Sequence, residues 1–94
     1  IRMDVEFDVA KDAANRAKHR VSLRAAERFD METALAAPDD RQDYGEDRWI
    51  AVGFVGARLH VLVFTERNGR IRPISLRKAL KHEVRHYERE KARY

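Results

Sequence analysis

The sequence predicts an α+β fold: a helical hairpin packed on a small, mainly antiparallel β-sheet, with a C-terminal helix. Three observations lead there. Helix formers with capping residues fill most of the first thirty positions. Two strand-like runs, RWIAVGFV and RLHVLVFTER, occupy the middle, and the second leads through Asn68-Gly69 into a third, IRPISL. From Arg77 onward the chain is charged and rich in helix formers.

Taken in order, VEFDV (Val5–Val9) is short and β-prone and reads as a first strand. Asp8 is placed to cap the helix after it, AKDAANRAKH (Ala10–His19). Arg20-Val21 interrupts that helix. Ser22 then reads as the N-cap of LRAAERFD, whose Leu23, Ala26 and Phe29 fall at helical spacing and predict a buried stripe. A weak strand is expected near Thr33–Ala37, followed by the polar loop APDDRQDYGED. The strands Arg48–Val55 and Arg58–Arg67 are apolar on both faces, so both faces of the sheet should be at least partly covered. Asn-Gly between strands favours a type I′ turn. That turn pairs Arg67 with Arg70, Glu66 with Ile71, Thr65 with Arg72, Phe64 with Pro73 and Leu62 with Ser75. Arg67, Arg70 and Arg72 then share one face, while Arg77 falls on the other unless a bulge near Pro73 re-aims it. Pro73 lands at a non-hydrogen-bonded pair, which suits an edge strand.

The totals bound the reading. Ninety-four residues, 44% of them apolar, fit one small domain. No apolar run approaches the ~18 residues of a membrane span. The opening IRMDVEFDV has no apolar leader region, and we expect Ile1 and Arg2 to lie ahead of the native start at Met3. There is no cysteine, which excludes disulfides and thiolate metal sites and fits a cytoplasmic home. Lys and Arg outnumber Asp and Glu by 20 to 16, a net charge of +4 compatible with an anionic partner.

Four groups of residues could carry chemistry. HEVRH (His82–His86) matches H-E-x-x-H, which on a helix sets two imidazoles one turn apart, as zinc peptidases require. The third ligand is missing, however. Only eight residues follow His86, and Glu90 lies roughly 12 Å along a helix from His82. Unless His19 or His60 completes the site, this is a solvated charged helix, and we expect no metal and no cofactor. The second group is basic: Arg67, Arg70, Arg72, Arg77 and Lys78 fall within twelve residues, against one acid, Glu66, just before them. Guanidinium forks suit phosphate, or the arginines pair with Glu46, Asp47 and Glu66. Third, Lys18-His19 ends the first helix, where His19 could be a general acid or base or a cation favoured by the helix dipole. Fourth, Tyr87 could orient a phosphate or a base, or pack the last helix on the sheet. Trp49 and Tyr44 flank the acidic loop, and Trp49 reads as core.

The pieces N-x-x-KH-x-V (Asn15, Lys18, His19, Val21), RWIAVGF, FTER…RIRPIS-x-R-x-A (Phe64–Arg67, Arg70–Ser75, Arg77, Ala79) and E-x-x-x-Y (Glu83, Tyr87) together resemble the BrnT toxin family, in order, from Val5 to about Tyr87. The resemblance implies a RelE-like fold and a toxin of a type II toxin–antitoxin system, a ribonuclease that arrests translation. It implies a BrnA-like antitoxin with a ribbon-helix-helix DNA-binding domain, through which alone the toxin reaches operator DNA. Metal-free RNA cleavage of the kind implied needs phosphate and transition-state stabilisation, for which Arg67, Arg72 and Arg77 are the candidates. Proton transfer falls to His19 or Glu66, with Tyr87 behind them, and RNA binding to Lys18, Arg70 and Lys78. The two histidines of HEVRH are not part of the matching motif. A non-catalytic binding module of a DNA-bound repressor complex and an HExxH hydrolase remain as the other readings. One departure concerns position 20, where the family pattern K-H-G-V has become K-H-R-V. Glycine there suits a left-handed residue closing the helix, a conformation that costs Arg20 roughly 1 kcal/mol.

Overall fold

The computed structural model describes residues 3–93, so the expectation about Ile1 and Arg2 lies outside the described residues. The elements run α1 (Val9–His19), a 3₁₀ helix (Leu23–Arg28), β1 (Leu35–Pro38), β2 (Trp49–Val55), β3 (Arg58–Arg67), β4 (Arg70–Lys78) and α2 (Lys81–Ala92). The four strands form one antiparallel sheet in sequence order.

Local chemistry sets the helix ends. The Asp8 carboxylate accepts the Ala10 N–H at 2.7 Å and starts α1. The Ser22 hydroxyl accepts the Arg24 N–H and starts the 3₁₀ helix. The second arm of the hairpin is thus a short helix, as expected, and is 3₁₀ in form. The expected first strand shrinks to one parallel bridge, Val5 with Ile71, because the Asp8 cap turns the chain into α1 at Val9. Around that bridge Glu6 N–H donates to Ile71 O and Ile71 N–H to Asp4 O.

One face of the sheet meets α1 and the 3₁₀ helix. Val21, Leu23, Ala26, Phe29, Ala51, Leu62, Phe64 and Leu76 form that core. Phe29 lies so close to β2 that a Cβ on Gly53 would sit 2.7 Å from its ring, so this close packing requires glycine. On the opposite face α2 brings Tyr87 edge-on to Phe54, with ring centroids 5.8 Å apart. Both faces are thus covered, as the apolar strands predict.

The hairpin turn is as expected, with Asn68 and Gly69 both at positive φ (55° and 74°). The register from Arg67↔Arg70 to Phe64↔Pro73 is also as expected, and β4 is an edge strand. Beyond Pro73 the register departs from the expectation. Val63 pairs with Ser75 and Leu62 with Leu76, leaving Ile74 as the extra residue of a bulge. The slip carries Leu76 into the core and moves Arg77, paired with Val61, onto the face that bears Arg67, Arg70 and Arg72.

Candidate active site

The bulge decides which cations share a face, but the strand decides how far apart they stand. From Arg72 to Arg77 an extended chain advances about 15 Å. The predicted site residues fall into two groups, one at each end of β4.

At the hairpin end, Arg70 and Arg72 meet the N-terminal segment. Arg70 donates to Asp4 at 3.0 Å and lies 3.5 Å from Glu6, and Arg72 donates to Glu6 at 3.2 Å. Arg67 reaches only to 3.9 Å from Glu46, and its side chain is half exposed. Glu66 is exposed, with no hydrogen bond or ion pair to its side chain among the described residues. The carboxylates facing these arginines come mainly from the N-terminal segment, not from Asp47 or Glu66.

At the other end stand Lys18, His19, Arg77 and Lys78. The Arg77 fork donates two hydrogen bonds of 2.8 Å to Glu83, and Glu83 also accepts the Leu80 N–H at 2.8 Å. The guanidinium holds the Glu83 carboxyl down to about 2. Glu83 in turn makes Arg77 harder to deprotonate. His19 is partly exposed, and burial, with the Lys18 and Arg77 charges, lowers its pKa from the ordinary value, favouring the neutral imidazole. The Asn15 side chain fixes the end of α1 against this strand: its Nδ2 donates to Val21 O and Leu76 O, both at 2.8 Å, and its Oδ1 accepts Leu76 N–H.

Tyr87 is buried, and its hydroxyl donates to Thr33 O at 2.9 Å. That bond ties α2 to the chain before β1. His82 and His86 are both exposed. Among the described residues no group of three or more His, Cys, Asp or Glu is placed to hold a metal ion.

The loop between β1 and β2 holds more order than its polar composition suggests. Asp39, buried, takes two hydrogen bonds from the Arg41 side chain, at 2.7 and 2.8 Å, and Arg41 lies close enough to bring its charge to bear on Arg77. The Arg48 guanidinium stacks 3.9 Å from the Tyr44 ring centroid.

Residues 7–83 match the family model of the ribonuclease toxin BrnT of type II toxin–antitoxin systems. The chain belongs to this family. Both groups of cations lie inside the matched span, as does Glu83, while His86 and Tyr87 lie beyond it. Among curated proteins nothing matches the chain. A BrnT toxin implies a ribonuclease with an antitoxin partner. No helix among the described residues is long and apolar enough to cross a membrane.

Proposed function

We propose that this BrnT toxin is an endoribonuclease that cleaves RNA without a metal ion, with His19 and Arg77 at its reaction centre. The observation that carries this is the imidazole, biased to its neutral form, within reach of the Arg77 charge on the family-matched part of the chain. Neutral His19 takes the proton from a 2′-hydroxyl. Arg77, held in orientation by Glu83, faces the charge that builds on the phosphorane, where a fixed fork is most effective. The leaving 5′-oxygen takes its proton from the imidazolium or from water. Lys18 and Lys78 bind the flanking phosphates. Glu66, Arg67, Arg70 and Arg72 serve the RNA farther along the hairpin, and Tyr87 holds α2. In the cell the toxin arrests translation in the cytoplasm until a BrnA-like antitoxin with a ribbon-helix-helix domain neutralises it and takes it to operator DNA. The layered antiparallel sheet supports reading the fold as RelE-like.

The test is cleavage of RNA by the folded protein in excess EDTA. The parent and the His82→Ala/His86→Ala double variant should both cleave. His19→Ala should be slower by roughly 10²–10⁴-fold. The parent rate should rise with pH through a value below the ordinary histidine range and level off by neutrality, because only the neutral ring accepts a proton. Loss of activity in EDTA would sink the metal-free mechanism. A folded sample that cleaves nothing would leave only the binding-module reading.

A further inference from the structure

Where β2 begins, the β3–β4 hairpin projects past it. The flank of β3 is closed there by the preceding loop, through a 2.7 Å hydrogen bond from the Thr65 hydroxyl to Asp47 O. Between loop and hairpin lies an open notch of about 370 Å³, lined by Glu46, Asp47, Trp49, Thr65, Glu66 and Arg67. Trp49 is one of only three large apolar side chains exposed among the described residues, at 36%. The neighbouring aromatic, Tyr44, already has Arg48 stacked on it, whereas among the described residues no aromatic ring or cation stacks on the Trp49 indole. The notch is otherwise polar, so the indole is not the centre of an apolar patch.

We propose that Trp49 is a base-stacking platform: an unpaired nucleobase of the RNA lies on its indole while the adjoining phosphate is held by Arg67. This rests on the ribonuclease reading and adds to it a nucleotide subsite near the hairpin tip, away from His19 and Arg77. The charges set the orientation. Glu46 is engaged by Arg48 and Arg67, and Asp47 and Glu66 leave the notch acidic, so it repels a phosphate but accepts an uncharged base. Carboxylates offer only acceptors, which suits the amino and imino N–H edges of bases. Trp49, paired with Phe64, lies on one face of the sheet, and Arg67, Arg70 and Arg72 share the other, with Arg67 at the rim of the notch, where they attract an RNA backbone passing over the edge and repel a basic peptide. Stacking on one aromatic is tolerant of sequence, so Trp49 positions the strand and sets the length of RNA required more than its sequence.

Trp49 is the only tryptophan in the chain, so its fluorescence reports the site directly. The probe is a short 2′-O-methyl oligoribonucleotide, which cannot be cleaved through its 2′-oxygen. It should quench the fluorescence saturably, whereas inorganic polyphosphate at the same phosphate concentration should not. Trp49→Ala should bind the oligonucleotide about 5- to 150-fold more weakly. With cleavable RNA the loss should appear in KM, and Trp49→Phe should restore most of it, which also guards against a misfolded Ala variant. If the parent cleaves RNA but its fluorescence is unchanged on binding, or Trp49→Ala binds as tightly as the parent, the stacking site is wrong and the ribonuclease reading stands. If a basic peptide quenches and the oligonucleotide does not, the notch is a protein-docking site and the proposal falls. If the folded parent neither binds nor cleaves RNA, the ribonuclease reading fails first and the stacking site with it.

Discussion

Arg20 closes α1 at φ 61° and ψ 29°, in the left-handed region, with its N–H donating to Arg16 O at 2.9 Å. That bond needs the backbone conformation and not the side chain. Glycine reaches it without the Cβ clash, which costs an L-residue roughly 1–2 kcal/mol, although the more flexible unfolded chain takes back about 0.4–1 kcal/mol. Arg20→Gly should therefore be modestly more stable, raising Tm by a few degrees in a thermal melt. A lower Tm would mean that the Arg20 side chain contributes more than its backbone conformation costs. Asn15 is the opposite case. It is buried, and its amide serves Val21 O and both polar groups of Leu76 on the open edge of β4. Asn15→Ala leaves those backbone groups without protein partners and should cost about 3 kcal/mol in denaturant unfolding. A change below about 0.5 kcal/mol would show that water replaces the amide without penalty. The left-handed turn is legible in the sequence because it depends on one residue and its neighbours. The role of Asn15 is not, because its partner Leu76 lies sixty-one positions away.

At the scale of elements, α2 depends on a small set of anchors. Arg77 and Glu83 lock its first turn to β4, and Tyr87 stacks on Phe54 and bonds Thr33 O. The Glu83 carboxyl, held down to about 2 from an ordinary 4.5, makes this attachment sensitive to acid. Because the folded value is depressed, the contribution is fully present above pH 4.5 and is lost as the pH falls toward 2. For a pair in contact with solvent it is worth about 1 kcal/mol. Melts from pH 7 down to pH 2 should therefore show a loss of stability in that window which is smaller in Glu83→Gln. An identical acid profile in the variant would show that other carboxylates carry the effect. The same elements show what the sequence could reveal. β3 matches its expected bounds because a ten-residue run with a largely apolar centre, Leu59 to Phe64, ends at Asn68-Gly69, a turn written in two residues. Leu23, Ala26 and Phe29, spaced by three, predict a short helix without saying of which kind, because that spacing fits both the α and the 3₁₀ period, and the structure has 3₁₀. The bulge at Ile74 enters the sequence reading only as the condition that would bring Arg77 to the face of Arg67 and Arg72, because the residue pattern of β4 does not by itself fix the register beyond Pro73.

Over the whole molecule, the sequence crowds five cations into twelve positions, and the extended chain spreads them from the end of β3 along the length of β4. Closeness in sequence suggests one site, where the structure has two groups held by different carboxylates: Asp4 and Glu6 at the hairpin, Glu83 in the first turn of α2. If the proposed division of labour holds, the two groups should fail differently when cut. Arg77→Ala should slow single-turnover cleavage at saturating RNA about ten- to hundredfold, the worth of a charge-assisted contact of about 1.5–3 kcal/mol made to the transition state. Arg72→Ala should weaken RNA binding, steepest at low salt, and leave the rate at saturation nearly intact. Stability separates the two further. Arg72→Ala leaves the partly exposed Glu6 beside Arg70 and should change Tm little. Arg77→Ala leaves Glu83 without its fork and should lower Tm. Arg77→Lys is the control for that loss: it keeps the charge near Glu83, so Tm should recover in part, while the rate stays low because an ammonium cannot reproduce the planar fork. If Arg77→Ala and Arg72→Ala both weaken binding equally and neither changes the saturated rate, the reaction centre is not at Arg77, and the search for it moves to the hairpin end of β4.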